Sequence, residues 1–170
     1  AFSSINFPVI GRIWDDEVLY YIEREAGEKP VTFYDRMDRK VFLLKLTPGM
    51  SAEIIPAILS VYDCIILEGF GVGGLPDRLR EVFQREMQRY EPHEKVLIMA
   101  TQVTYEGSSM DTYVVGRKAR KNLPFLETYD MTLEAVFAKI MWILGLHIRD
   151  RDEMERLFYQ KINYDIFRKD

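Results

Sequence analysis

The sequence predicts an α/β fold: a small three-layer domain in which a mostly parallel sheet of about four strands is flanked by helices. Three observations carry that expectation. The apolar runs Val41-Phe42-Leu43-Leu44-Lys45-Leu46, Cys64-Ile65-Ile66-Leu67 and Val96-Leu97-Ile98-Met99-Ala100 are nearly continuous rather than alternating. Strands buried on both faces read this way. Segments with apolar residues at helical spacing lie between the runs. Finally, 170 residues with 48% hydrophobic content suffice for one domain with its own core.

Residues 1–40 differ in texture from residues 41–170. The first stretch holds short apolar clusters broken by charges. Val18-Leu19-Tyr20-Tyr21-Ile22 and Val31-Thr32-Phe33-Tyr34 have strand-like composition. Asp15-Asp16 and Gly27-Glu28-Lys29-Pro30 are turn signals. This stretch is expected to be a lead-in of short strands or a linker, with the α/β domain starting at residue 41.

Within the domain, Thr47-Pro48-Gly49 ends the first run, Glu68-Gly69 the second and Thr101-Gln102 the third. Ser51 is placed to cap a helix carrying Ile54, Ile55, Ile58, Leu59 and Tyr62, with Pro56 costing it one backbone bond. Pro76 suits the first turn of a second helix with Leu79, Val82, Phe83, Met87 and Tyr90 on its face. Residues 113–122 read as a third. Asp130 is placed to cap a fourth, in which Leu133, Val136, Phe137, Ile140, Met141 and Leu144 form a wide apolar face that Gly145 ends. Met154, Leu157 and Phe158 mark a last helix. Crossovers between parallel strands are expected to be right-handed. Ligands of such folds gather outside the carboxyl ends of the strands. Here that edge collects Lys45, Thr47, Glu68, Gly69, Gly71, Thr101 and Gln102.

Composition narrows the function classes. The chain has 23 Lys plus Arg against 27 Asp plus Glu, a net charge of −4, which argues against a broad nucleic-acid footprint. The single cysteine, Cys64, excludes an intrachain disulfide and a Cys-rich zinc site. No apolar run has the length of a membrane span. Ala1-Phe2-Ser3-Ser4 lacks the features of an export signal, so the expected compartment is the cytoplasm. The two histidines, His93 and His147, have no paired metal-ligand spacing, and no metal or cofactor is expected.

Gly69-Phe70-Gly71-Val72-Gly73-Gly74 satisfies the dinucleotide-binding spacing between an expected strand and an expected helix. Two context tests fail. Pro76 marks a helix starting after Gly74 rather than at it, and the next strand ends in Ala100-Thr101-Gln102 with no ribose-binding carboxylate. The alternative is a wide glycine loop that lets another chain or a small ligand approach the backbone. Lys45 and Glu68 are charges at the ends of hydrophobic runs, so they either pair or face a polar cavity. Glu106-Gly107-Ser108-Ser109-Met110-Asp111 holds Ser and Asp together, but neither histidine is near in sequence and no nucleophile elbow is present. Cys64 begins a buried run and reads as a small core residue.

Five segments together resemble the C-terminal domain of type I (cytoplasmic) bacterial L-asparaginases. They are Leu44-Lys45-Leu46-Thr47-Pro48-Gly49-Met50, Leu67-Glu68-Gly69-Phe70-Gly71-Val72-Gly73-Gly74-Leu75-Pro76, Ala100-Thr101-Gln102-Val103, Met110-Asp111-Thr112-Tyr113-Val114-Val115-Gly116 and Asp130-Met131-Thr132-Leu133-Glu134-Ala135. Ala1-Phe2-Ser3-Ser4-Ile5-Asn6-Phe7-Pro8 is similar to the point where that family's chain leaves its N-terminal domain.

The resemblance implies a two-domain amidohydrolase converting L-asparagine to aspartate and ammonia. The family's catalytic threonines lie in Gly-Gly-Thr and His-Gly-Thr-Asp-Thr motifs of the N-terminal domain, and neither motif occurs here. This chain is therefore expected to hold no catalytic residue and to be inactive alone. The resemblance places Gly71, Gly73, Gly74, Ser109, Asp111 and Tyr113 in loops that close a neighbouring subunit's active site, in a homodimer or homotetramer. Many relatives carry Asn where Gly74 stands. Some members also hold asparagine at a regulatory site with an Arg and a Thr-x-Cys group. Those positions here are Glu68, Thr101 and Val103; the candidate effector group is Lys45, Glu68, Thr101 and Gln102. Glu68 replaces a cation with an acid, which opposes a carboxylate ligand. Two other readings stand beside this one. The first is an asparaginase-like subunit of a tRNA-dependent glutamyl amidotransferase, working with a partner subunit. The second is a standalone ligand-binding or assembly module.

Overall fold

The computed structural model describes residues 5–22, 33–92, 94–148 and 150–167. Val31-Thr32, the turn at Gly27-Glu28-Lys29-Pro30, the start at Ala1-Phe2-Ser3-Ser4 and His93 lie outside the described residues.

Strands β1 (Gly11–Trp14) and β2 (Glu17–Tyr20) form a two-stranded antiparallel sheet of their own. Asp15 and Asp16 join them with φ of 45° and 66°, the left-handed pair that matches the twist of a tight hairpin. Phe33 and Tyr34, expected in a strand, are irregular. Tyr34 instead sets its ring edge-on against Trp142, with centroids 5.0 Å apart.

The second sheet has four parallel strands in the order β3 (Val41–Lys45), β4 (Cys64–Gly69), β5 (Val96–Thr101) and β6 (Phe125–Glu127). Helices α1 (Ile54–Val61), α2 (Asp77–Met87) and α3 (Val114–Asn122) are the crossovers between successive strands. Helices α4 (Leu133–Gly145) and α5 (Arg151–Tyr159) follow the sheet. The pleat divides each strand's side chains between two cores. Ile65, Leu67, Leu97 and Met99 pack with Ile55, Leu59, Leu79 and Phe83 of α1 and α2 and Ala119 of α3. Cys64, Ile66, Val96 and Ile98 pack with Val136, Ile140 and Ile143 of α4 and Met154 and Phe158 of α5. That is the three-layer arrangement. Consecutive strand order with all three crossover helices on one face is what crossovers of a single hand produce. Among the described residues no helix is long and apolar enough to cross a membrane.

The helix ends correct several expectations. Glu53, not Ser51, occupies the α1 cap; the Ser51 hydroxyl accepts from the Glu53 amide at 3.3 Å. Pro56 is the third residue of α1, where the backbone N–H has no intrahelical acceptor, so it costs no bond. Pro76 is the N-cap of α2 rather than part of its first turn. Thr132, not Asp130, caps α4 by accepting from the Ala135 amide. Asp130 accepts from the Phe167 amide at 2.7 Å and so anchors the C-terminal segment. Gly145 is the last residue of α4, and a Cβ there would lie 2.5 Å from the Arg36 carbonyl oxygen. Its small size admits the incoming chain, which the Asp38 amide then ties to the Met141 carbonyl. At α5, Asp150 caps by accepting from the Glu153 amide at 2.8 Å.

Candidate functional site

Two polar clusters sit at the carboxyl edge of the sheet, each built by the strand ends. The first surrounds a cavity of about 170 Å³ lined by Glu68, Thr101, Gln102, Thr104, Thr128 and Thr132, among others. Lys45 and Glu68 are register partners on β3 and β4, and their charged ends meet at 3.2 Å. The Lys45 side chain is 59% exposed and that of Glu68 14%. The two charges therefore pair, and Glu68 also faces the cavity.

Thr101 and Gln102 are engaged within the framework. The Thr101 hydroxyl donates to the Gly71 carbonyl and accepts from the Val103 amide. The Gln102 amide nitrogen donates to the carbonyls of Leu46 at 2.7 Å and Glu68 at 2.9 Å. Together these bonds tie the ends of β3, β4 and β5 to the glycine loop.

The second cluster joins that glycine loop, residues 70–76, to loop 107–113. Gly71 and Gly73 have φ of 54° and 112°, a region that favours glycine. A Cβ on Gly73 would also lie 3.2 Å from Met99 Cγ. Gly74 has no such backbone constraint, and a Cβ there would meet Val115 Cγ1 at 3.4 Å, an ordinary contact. The loop folds back on β4, since a Cβ on Gly69 would meet the Gly74 backbone at 2.9 Å. Helix α2 begins only at Asp77, with that acid in its first turn. A helix start offset from the third glycine, with a carboxylate in it, disfavours a pyrophosphate. Phe70, Gly71, Gly73, Gly74, Pro76, Tyr113 and Val115 line a second, mostly apolar cavity of about 350 Å³. Phe70, Tyr113 and Val115 around it are exposed apolar side chains.

Loop 107–113 is held from three sides. The Ser108 amide donates to the Tyr129 carbonyl at 2.8 Å, and the Ser108 hydroxyl meets Thr128 Oγ1 at 3.1 Å and accepts from the Tyr129 amide at 2.7 Å. Ser109 donates its amide to the Val72 carbonyl, which joins the two loops. Its hydroxyl meets Thr112 Oγ1 at 2.7 Å. From α3, Arg117 donates to the Asp111 carbonyl at 2.8 Å and Arg120 to Asp111 Oδ2 at 2.6 Å. Gly116 admits the loop backbone: a Cβ there would lie 2.2 Å from the Met110 carbonyl oxygen. Asp111 and Tyr113 are exposed, whereas Gly73 and Gly74 are buried.

Sequence reasoning missed Glu127, the last residue of β6. Its carboxylate is buried, and its Oε1 accepts from the Met110 amide at 2.6 Å while Oε2 lies 3.6 Å from Arg120. Its signal was faint: one acid closing a three-residue strand, as Glu68 does near the end of β4. Partial burial opposes the charge of Arg120. Asp111, Tyr129 and Glu127 outweigh it and hold the guanidinium above its ordinary pKa.

Other candidates are placed away from this edge. Cys64 is fully buried, and that burial, then the Asp63 carboxylate, pushes its thiol far up. His147 is exposed just past α4. Among the described residues no group of three or more His, Cys, Asp or Glu is placed to hold a metal ion. The edge offers hydroxyls, the acids Glu68 and Glu134 facing a cavity and an apolar rim: groups that bind and orient, with no activated nucleophile among those described.

The family model for the glutaminase/asparaginase C-terminal domain matches residues 40–158. An L-asparaginase of Thermococcus kodakarensis is 37% identical over 166 residues, covering 98% of this chain and 49% of that protein. A glutamyl-tRNA(Gln) amidotransferase subunit of Pyrococcus furiosus is 33% identical over 162 residues, covering 92% of this chain and 35% of that one. The chain thus spans half or less of these curated relatives. Among solved structures, the thermostable L-asparaginase of Thermococcus kodakarensis superposes with a TM-score of 0.83 at 37% identity, over 99% of this chain and 50% of that one. L-asparaginase I of Vibrio cholerae superposes with a TM-score of 0.76 at 23% identity, which speaks to the fold. The parallel sheet, its helices and the matched residues lead to one conclusion: the chain belongs to the glutaminase/asparaginase C-terminal domain family.

Proposed function

We propose that this chain is the C-terminal half of an L-asparaginase that hydrolyses L-asparagine to aspartate and ammonia in the cytoplasm. The observation that carries the reading is the 37% identity to an L-asparaginase across nearly the whole chain. The nucleophile and its activating groups belong to the other half of the parent protein, and the isolated chain has no hydrolytic activity. Residues 1–40 lead in from that half.

Under this reading the chain supplies a subunit interface and two closing loops. The apolar surface at Phe70, Tyr113 and Val115 seats a second copy in a homodimer or homotetramer. Gly71, Gly73 and Gly74 bring backbone close to the partner's active site, and Ser109, Asp111 and Tyr113 close it. The cavity at Glu68, Thr101 and Gln102, with Lys45 paired to Glu68, is the effector position. Glu68 selects against a free carboxylate there and in favour of a ligand presenting a cation.

The test is ammonia release from asparagine by the full-length gene product and by the isolated chain. Activity in the first and none in the second is expected. An inactive full-length protein sinks the asparaginase assignment, and an active isolated chain sinks the division of labour. The 33% identity to a glutamyl-tRNA(Gln) amidotransferase subunit favours a second reading, in which the parent delivers ammonia to a tRNA-linked partner subunit. Asparagine hydrolysis that needs that partner and its tRNA selects this alternative. A parent active in neither assay leaves the binding or assembly module.

A further inference from the structure

Glu127 is a carboxylate placed where burial is costly. Its side chain is 4% exposed, at the end of the edge strand β6. A buried charge of this kind is retained only when partners compensate it. Among its partners are one group of the loop and one of α3. The Met110 amide donates to Oε1 at 2.6 Å, and Met110 itself is fully buried in the core between the sheet and α1–α3. Arg120 lies 3.6 Å from Oε2 and reaches Asp111 Oδ2 at 2.6 Å with the same nitrogen. One guanidinium thus bridges a buried acid on the sheet and an exposed one on the loop.

Glu127 is in turn fixed from behind. The Tyr159 hydroxyl on α5 accepts from the Glu127 amide at 2.9 Å and donates to its carbonyl at 3.1 Å. These two bonds satisfy backbone groups that an edge strand would otherwise leave open. The result is a continuous line from α5 through β6 to the loop: Tyr159, Glu127, then Met110 and Arg120, then Asp111.

We propose that Glu127 is a positioning residue: with its backbone held by Tyr159, its buried carboxylate sets the height of Met110 and the direction of Arg120 and so fixes Asp111 for closure of the partner's active site. The kinetic part of this inference rests on the asparaginase reading above; the geometric part does not. Misplacing a closing loop removes contacts made equally to the bound substrate and the transition state, without touching the nucleophile. The expected signature is therefore a rise in KM with little change in kcat.

The test uses the full-length parent with Glu127→Ala and, separately, Glu127→Gln, at a temperature where both are folded. Glutamine keeps an acceptor for the Met110 amide. Hydrogen exchange is measured for loop 107–113 and for β5, and asparagine kinetics are measured in parallel. Glu127→Ala is expected to speed exchange in the loop and raise KM about tenfold with kcat nearly unchanged, while β5 stays protected. Glu127→Gln recovers most of both losses. Unchanged loop exchange in Glu127→Ala overturns the clamp. Faster loop exchange with KM unchanged overturns the positioning role. Equal losses across loop and β5 reduce Glu127 to general stability. A wild-type parent that leaves asparagine intact defeats the asparaginase reading instead, and exchange alone then decides the clamp.

Discussion

Lys139 on α4 and Asp165 near the C-terminus form an ion pair under the protein surface. The Lys139 side chain is 2% exposed, and its ammonium also donates to the Gln160 carbonyl at 2.8 Å. Asp165 accepts from the Ile162 amide at 2.7 Å as well. The pair latches the segment after α5 onto α4.

Removing one partner leaves a buried charge alone. Asp165→Ala is expected to cost about 3 kcal/mol or more in urea unfolding. Replacing both residues by apolar ones of similar size should recover most of that loss. A double variant as unstable as the single one contradicts this account.

Cys64 gives a pH dependence with a definite sign. Burial, then Asp63, raises the thiol's pKa in the folded state. The folded protein therefore keeps its proton where the unfolded chain has lost it. This contribution is whole below the unfolded thiol's pKa of about 8.5 and declines as pH rises from there toward the folded value. Cys64→Ala should flatten the alkaline limb of a stability-against-pH curve. Thiol reagents at a pH of about 8 should label Cys64 only as fast as the protein opens.

The glycine loop separates two neighbouring substitutions. Gly73→Ala meets both a φ of 112° and Met99 at 3.2 Å, and should cost about 1–3 kcal/mol by thermal unfolding. Gly74→Ala meets only ordinary contacts with Val115 and the Gly116 backbone and should stay within about 1 kcal/mol of the wild type. If Gly74→Ala proves the more damaging, the loop geometry is wrong.

Lys45 is more than half exposed, so its pairing with Glu68 is worth little. Lys45→Ala should change stability by less than about 1 kcal/mol. Its effect belongs to the cavity, where it leaves Glu68 uncompensated. Isothermal titration of the variant with small cationic ligands should show tighter binding than the wild type.

The strands β3, β4 and β5 were legible because burial on both faces produces unbroken apolar runs. Strand β6 was not, because Phe125-Leu126-Glu127 is too short for any periodicity and follows Pro124. Helices were legible from spacing, but their caps were misplaced wherever a nearby Ser or Asp had another partner, as Ser51 and Asp130 do. The same limit governs the site. Lys45 and Glu68 announce themselves as charges at the ends of apolar runs. Arg120, Thr128 and Glu127 matter only because the crossover at α3 brings β6 beside loop 107–113, a relation that sequence order conceals.

The strand order has a consequence for how the chain acquires its structure. In the order β3-β4-β5-β6 each strand pairs with the one made just before it. The sheet can then grow one strand at a time during synthesis, each step closing a helical crossover, from Val41 to Cys64, from Cys64 to Val96 and from Leu97 to Phe125. Crossovers of this kind are longer than hairpin turns, and parallel pairing forms more slowly than local contacts do. Each new strand therefore finds its neighbour already made, and no strand of this sheet has to be inserted between two earlier ones.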